Sequence, residues 1–153
     1  MMATTDGSGR YLPPDWTLPA ITAVNEAFFH GGADGELRLQ RCRACGVVQH
    51  PPDELCRHCQ AMELGSVVAR PGGTVVSYSI VHHAVHPTLR AVVPYNVVVV
   101  ELDEYPDVRI VGNVIDAAPD DLHIGMPVIC TWAELPGADG DSVFLPQWSR
   151  VSQ

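Results

Sequence analysis

Two pairs of cysteines, Cys42-Arg43-Ala44-Cys45 and Cys56-Arg57-His58-Cys59, stand ten residues apart. A Cys-x-x-Cys turn brings two thiolates to one side of a tight loop. Two such turns facing each other complete a four-sulfur tetrahedral shell, which suits zinc. Four protein ligands leave no open coordination position, so the ion is expected to staple the fold rather than react. Competing readings are weaker. No signal peptide and no bilayer-length apolar run is evident, which points to a reducing cytoplasm, where disulfides are rare. A redox Cys-x-x-Cys explains one pair and not two. Iron fits the same sulfur shell, and sulfur geometry alone does not separate it from zinc. His50 and His58 lie beside the cysteines and could replace one as ligand, but are read as surface residues. Cys130, in Val128-Ile129-Cys130-Thr131-Trp132, reads as a small buried residue of a strand.

The remaining chemistry-bearing residues give weaker patterns. The formal net charge is -9 and every basic residue is arginine. Nucleic-acid binding needs phosphate neutralisation, so this balance argues against it, as the absence of a long apolar run argues against a membrane. Four of the nine arginines (Arg38, Arg41, Arg43 and Arg57) cluster around the cysteine knuckles. A zinc ion with four thiolates is formally dianionic, and nearby guanidinium groups offset that charge. The sharper reading is that these arginines also meet phosphates or carboxylates of a ligand or partner. His82-His83-Ala84-Val85-His86 has the composition of a metal triad. On a strand, however, His82 and His83 face opposite ways, so a strand end running into a loop is the preferred reading. Glu101, Asp103 and Glu104 fit a solvated strand end. No GxSxG, Walker loop or GxGxxG with a following helix occurs, and no nucleophile has an evident base.

The elements that must position the cysteines follow from periodicity. Residues 1 to about 18 form a polar, proline-bearing arm with Pro13 and Pro14, and Pro19 just beyond. Thr22 is expected to cap a short helix through Phe29, ended by His30-Gly31-Gly32. Glu36 to Gln40 alternates, with Leu37 and Leu39 on one face, and leads as a short strand into the first knuckle. The metal module runs to about Leu64. Five strands are then expected: Thr74–Val81, Tyr95–Leu102, Val108–Ile115, Val128–Ala133 and Val143–Trp148, separated by turn residues. The fold class is therefore mainly β: a short N-terminal helix and zinc ribbon, then a five-stranded OB-fold barrel, with an SH3-like barrel or small sandwich as alternatives. The division is 1-35 for arm and helix, 36-66 for the ribbon and 67-153 for the barrel. The second barrel strand, Asn96-Val97-Val98-Val99-Val100-Glu101-Leu102, is apolar on both faces. A barrel strand needs only one. One valine pair must point outward and be covered by the arm, the helix or another chain, and similar doubling recurs at Val108, Ile110 and Val111. Exposed apolar surface of this kind suggests a protein interface.

The order of these features resembles the acyl-CoA-associated OB-fold family with an N-terminal rubredoxin-like zinc ribbon. The resemblance covers about residues 22 to 150. It is carried by Asn25-Glu26-Ala27-Phe28-Phe29, by Gly35-Glu36-Leu37-Arg38-Leu39-Gln40-Arg41-Cys42-Arg43-Ala44-Cys45-Gly46, by Pro51-Pro52 and by the second knuckle. It continues through Gly73-Thr74-Val75-Val76-Ser77-Tyr78-Ser79, Pro94-Tyr95, Val100-Glu101-Leu102-Asp103-Glu104 and Ile124-Gly125-Met126-Pro127-Val128. Two departures stand out: Gln60 where a Gly often follows the second knuckle, and Glu104-Tyr105-Pro106 in place of the usual Gly after the acidic strand end. The resemblance implies a non-catalytic accessory subunit that pairs, as a hetero-oligomer, with a thiolase-fold enzyme acting on acyl-CoA. Partners in the family include thiolases, hydroxymethylglutaryl-CoA synthase-like enzymes and retro-aldolases of steroid side-chain degradation, and some members are fused to hydratase-like domains. The resemblance puts zinc on Cys42, Cys45, Cys56 and Cys59 and the catalytic residues on the partner. The loop from about His83 to Tyr95, with His86 within it, would be a lip over the partner's channel, where acyl-CoA lies near the interface. Arg41, Arg43 and Arg57 complete the candidate ligand- and partner-binding set. A nucleic-acid-binding ribbon and barrel, and an iron electron carrier, are the alternatives.

Overall fold

The computed structural model describes residues 16–137 and 140–151; Pro13 and Pro14 of the expected arm lie outside them. The described chain is mainly β, with one short α-helix, α1 (Glu26–Gly31), followed by a 3-10 turn at Gly32–Asp34. The helix begins later than its sequence suggests. Asn25 Oδ1 accepts the Thr22 amide at 2.8 Å, and Asn25 Nδ2 donates to the Ala20 carbonyl at 3.0 Å. These bonds fold residues 20–25 into a turn, and Thr22 contributes its carbonyl rather than a side-chain cap. Among the described residues no helix is long and apolar enough to cross a membrane.

Three strands form the N-terminal sheet in the order β2-β1-β3: β1 (Leu37–Cys42), β2 (Val48–Gln49) and β3 (Leu64–Ala69). Leu37 and Leu39 are buried and alternate with Arg38 and Gln40, as a period-two strand over a core requires. Strand β3 was not anticipated; it pairs with the whole of β1, from Leu37 opposite Ala69 to Cys42 opposite Leu64.

The second sheet has five strands in the order β6-β5-β4-β7-β8. They are β4 (Gly72–Val81), β5 (Tyr95–Leu102), β6 (Arg109–Gly112), β7 (Pro127–Pro136) and β8 (Ser142–Arg150). A bulge between Val75 and Ser77 shifts the β4–β5 register and bends β4. The bent β4 pairs with β5 along its length and with β7 only through Gly72, Gly73 and Thr74. A parallel bridge between Val114 and Trp148 brings the outer strands together, giving a nearly closed five-stranded barrel.

Strand β6 is shorter than expected because its continuation is diverted. Asn96, buried on β5, donates from Nδ2 to the Val114 carbonyl at 2.9 Å and accepts the Val114 amide on Oδ1 at 2.8 Å. The chain then turns to β8, where the Trp148 amide donates to the Asn113 carbonyl and the Ile115 amide to the Trp148 carbonyl, each at 2.9 Å. One polar side chain thus replaces a stretch of strand pairing and fixes the closure.

The doubly apolar β5 divides as its pattern requires. Val98, Val100 and Leu102 point into the core, while Val97 and Val99 face outward and are half-buried. Beside Val99 in register lies Val111, 64% exposed. Leu37, Leu39 and Ala69 of the first sheet and Phe28 of α1 belong to the same hydrophobic cluster as Val75, Val98, Val100 and Trp148 of the second. The end of α1 is clamped there. A Cβ added at Gly32 would strike Phe144 Cβ and lie 2.7 Å from the Trp132 ring. Gly32→Ala is therefore expected to destabilise the chain by about 1–3 kcal/mol, read as a lower urea midpoint at unchanged slope. An unaltered midpoint would mean that α1 is not held against β7 and β8.

Candidate metal centre

Both knuckles are built from one hydrogen-bond pattern used twice. The Cys42 amide donates to the Val47 carbonyl and the Gly46 amide to the Cys42 carbonyl; the Cys56 amide donates to Ala61 and the Gln60 amide to Cys56, all at 2.9 Å. Each turn closes through a left-handed residue, Gly46 at φ 77° and Gln60 at φ 62°. Gly adopts that conformation freely and Gln does not. The turn at Gln60 nevertheless keeps its form, so the departure from glycine costs backbone strain without displacing Cys56 or Cys59.

The four Sγ atoms lie within 4.8 Å of one another, with Cys42 and Cys59 at 3.6 Å and Cys45 and Cys56 at 3.6 Å. A tetrahedron with metal–sulfur bonds of about 2.3 Å has edges of roughly 3.8 Å, so the sulfur set fits one four-coordinate ion. Cys42 and Cys56 are buried and Cys45 and Cys59 face outward. The Cys59 backbone amide, aided by that of His58 and opposed by desolvation, pulls the Cys56 thiol down to about 6. Cys59 moves the other way: against the Ala61 backbone amide, which lowers it, the Cys45 sulfur and desolvation push it up to about 12, so Cys56 is the first of the set to become the thiolate that binds metal. With every coordination position filled by sulfur, a bound ion supplies a cross-link between the knuckles.

Two glutamines that sequence reasoning passed over hold the second knuckle in place. Gln49, 2% exposed, accepts the Arg57 amide on Oε1 at 2.8 Å and donates from Nε2 to Gln40 Oε1 at 2.6 Å and to the Leu55 carbonyl at 3.0 Å. Gln40 in turn donates to the Asp53 carbonyl at 2.8 Å and accepts the Asp53 amide at 3.0 Å. Both extend from the β1–β2 pair, where Gln40 faces Gln49. Their position beside the first knuckle was the available signal, but nothing local in the sequence marks an amide that works across the loop.

Other expected site residues are dispersed. Among the described residues the four cysteines are the cluster of ligating side chains that could hold an ion. His82 and His83 follow the end of β4, as the strand-end reading expects. His83 and His86 are exposed on the connection to β5, which is pinned by the buried Ala84 and Leu89; the ring of His86 meets Trp16 edge-on at 5.0 Å. Tyr95 opens β5, half-buried. Arg41, Arg43 and Arg57 are exposed, and among the described residues no carboxylate forms an ion pair with them, whereas Arg38 is held by Asp34 at 2.6 Å and Glu36 at 2.8 Å. Cys130 is buried, which pushes its thiol up to about 12 and makes it inert, as expected of a small strand residue. His58 is exposed, but His50 is not the surface residue expected. It packs on Phe28 with ring centroids 4.6 Å apart, and desolvation lowers its pKa to about 4.

Comparison with known proteins agrees with this geometry. Residues 29–64 match the family model of the ChsH2 rubredoxin-like zinc ribbon domain, and residues 66–133 match that of the ChsH2 C-terminal OB-fold domain. A DUF35 domain-containing scaffold protein of Methanocaldococcus jannaschii is 34% identical over 102 residues, covering 66% of this chain and 70% of the relative. This chain belongs to the DUF35 family. Its metal centre is accordingly the zinc ribbon of that family, with Cys42, Cys45, Cys56 and Cys59 positioned to bind the ion. The 3-oxo-4,17-pregnadiene-20-carboxyl-CoA hydratase alpha subunit of Mycobacterium tuberculosis is 36% identical over 126 residues, covering 82% of this chain and 39% of the relative. The chain spans well under half the length of the hydratase subunits it matches. A solved chain of the Ltp2-ChsH2(DUF35) aldolase superposes with a TM-score of 0.72 at 37% identity, covering 87% of this chain and 98% of that one.

Two outcomes follow for a DUF35 ribbon of this construction. Structural zinc contributes on the order of 10–16 kcal/mol in finger peptides, so Cys56→Ser is expected to lose the metal and disorder the knuckle segment between Arg43 and Glu63, while β1, β3 and the barrel, which share one core, persist. Metal analysis and amide exchange check this; a variant that retained both zinc and a protected ribbon would show the ligand set to be wrong. His50 is neutral in the fold down to about pH 4, but protonates near its ordinary 6.5 when the chain unfolds. The unfolded state therefore binds the extra proton between those values, and stability present above about pH 6.5 is lost as pH falls towards 4. Denaturation of wild type and His50→Leu at pH 7.5 and pH 5 should show the larger acid loss in wild type. Equal losses would mean that His50 is solvated.

Proposed function

We propose that this chain is a non-catalytic zinc-ribbon and OB-fold subunit that docks on a thiolase-fold enzyme acting on acyl-CoA. The reaction class is carbon-carbon bond cleavage of the thiolase or retro-aldolase type, including steroid side-chain degradation. The observation that carries the reading is the likeness to the DUF35 chain of the Ltp2-ChsH2 aldolase, which this chain matches over nearly its whole length. The hydratase relative, whose name specifies a steroid-derived CoA thioester, supports the same substrate class.

The molecule's own surface supports docking in two ways. Apolar side chains stand exposed where a monomer gains nothing from them, notably Val111 on β6 and Val85 in the β4–β5 connection. Arg41, Arg43 and Arg57 present guanidinium groups around the ribbon without acidic partners among the described residues. Such groups suit the phosphates or carboxylates of a CoA ligand or of a docked enzyme. In this reading the connection bearing His83 and His86, with Tyr95 at its end, borders the partner's channel. The working units are 1-35, 36-66 and 67-153, and the complex works in the cytoplasm. Affinity isolation of the native protein should bring down a thiolase-fold enzyme in fixed stoichiometry. Recovery of this chain by itself, as a monomer, would sink the proposal.

A further inference from the structure

The barrel seam opens below its closing bridge into an apolar slot that the metal does not use and whose mouth, at Val111 and Tyr95, adjoins the proposed docking surface. From the Val114–Trp148 bridge, β6 and β8 diverge, and a cavity of about 560 Å³ lies between them. Ile110, Leu135 and Leu145 line it from the barrel and Val97 from the outer side of β5, while Phe28 and Phe29 of α1 cover it. At interior packing density such a volume holds on the order of twenty non-hydrogen atoms, within the range of small-molecule sites. Water in a slot of this lining finds few partners.

Buried polar atoms without partners stand among these walls. Gln147, 3% exposed, leaves Oε1 without a hydrogen bond, and Asn113 leaves Nδ2 without one. Both residues line the slot, as does His50, whose Nδ1 is likewise unpartnered. Buried polar groups are nearly always satisfied, and an exception calls for a physical cause. In this conformation the two amide atoms are shut off from solvent, but terminal amide torsions are broad, so a modest rotation turns them into the slot. One then offers a donor and the other an acceptor. A single hydroxyl satisfies both, accepting from Asn113 and donating to Gln147; a primary carboxamide does the same. A carboxylate does not fit. The cation on the lining is Arg109, whose Nε and Nη2 already bind Glu101 Oε2 at 3.2 and 3.1 Å.

We propose that this seam slot is a binding site for a neutral, apolar small molecule bearing one hydroxyl or primary carboxamide, held by Asn113 and Gln147. The test uses the full, zinc-loaded chain titrated with 1-decanol, decanamide and decanoate at pH 7. Calorimetry and tryptophan fluorescence report binding, because Trp148 adjoins Asn113 and Gly112 and Trp132 lies 6.1 Å from Phe28. Decanol and decanamide should bind saturably, one per chain, and at least about tenfold more tightly than decanoate, which must shed its hydration without a counter-charge. Gln147→Leu should weaken decanol and decanamide and leave decanoate unchanged. Leu145→Trp should fill the slot and abolish binding; Val111→Trp, placed at the exposed mouth where folding is not at stake, should weaken it. The proposal is overturned by the absence of saturable binding, by decanoate binding as tightly as the alcohol, or by indifference of binding to both tryptophan variants. A complex in which partner side chains occupy the slot, with no binding by the free chain, overturns it as well.

Discussion

The four-sulfur cross-link is what makes the knuckle segment between Arg43 and Glu63 a structure. Between Arg43 and Glu63 only Gln49 and Cys56 are buried; Leu55 and Met62 are 45% and 74% exposed, and Val48 and His50 reach the core only in part. Ordering each backbone residue costs roughly 1–2 kcal/mol, and this segment has almost no apolar burial to set against it. Strand β2 is two residues long. The Gln40–Gln49 network aims the second knuckle, but hydrogen bonds exchanged with water contribute little net stability. A tetrahedral ion gripping both knuckles supplies the missing term, which is why the metal belongs to folding here.

The ribbon is tied to the barrel by packing rather than by the metal. Cys42 ends β1, and Arg43 continues the attachment by donating its amide to the Glu63 carbonyl at 2.8 Å, where the chain returns towards β3. Strands β1 and β3 then carry Leu37, Leu39 and Ala69 into the cluster built around Val98, Val100 and Trp148. Helix α1 seals the joint, with Phe28 in that cluster and Gly32 against Trp132 and Phe144. A load applied at the knuckles is therefore transmitted into a common core. Loss of zinc should loosen the ribbon's tip more than its base, because β1 and β3 stay paired and packed.

Legibility in the sequence tracked the range of the signal. The cysteine pairs are local, and their spacing alone foretold a site whose sulfurs lie within 4.8 Å. The barrel strands carry period-two patterns, and Tyr95–Leu102 falls where that pattern placed it. Strand β3 was hidden because Leu64-Gly65-Ser66-Val67-Val68-Ala69 has small residues and a mixed pattern; its pairing with β1 comes from contact across more than twenty residues of knuckle. The start of α1 was misplaced because Asn25 competes for the local backbone, a tendency shared by all short polar side chains near helix ends. His50 looked like a surface residue beside a metal site, and only the approach of Phe28 from helix α1 makes it a desolvated one. The glutamine network and the exposure of Arg41, Arg43 and Arg57 likewise depend on tertiary placement.

Barrel closure and the seam slot have one origin. A small barrel must join its two outer strands or leave edges unpaired. Here the joining falls to Asn96, which draws Val114 inward with two hydrogen bonds and presents residues 113–115 to Trp148. That device closes one end firmly, since Trp148 is fully buried beneath it. It also stops β6 at Gly112, four residues into a strand that faces the nine of β8. The unmatched length of β8 cannot be paired, so the strands part and α1 roofs the gap with Phe28 and Phe29. Extending β6 would close the seam but would need Asn113 and Val114 to abandon the bonds that bury Trp148. The barrel is thus held at the expense of a void beside the seam, and the unpartnered amides of Asn113 and Gln147 mark where the two solutions meet.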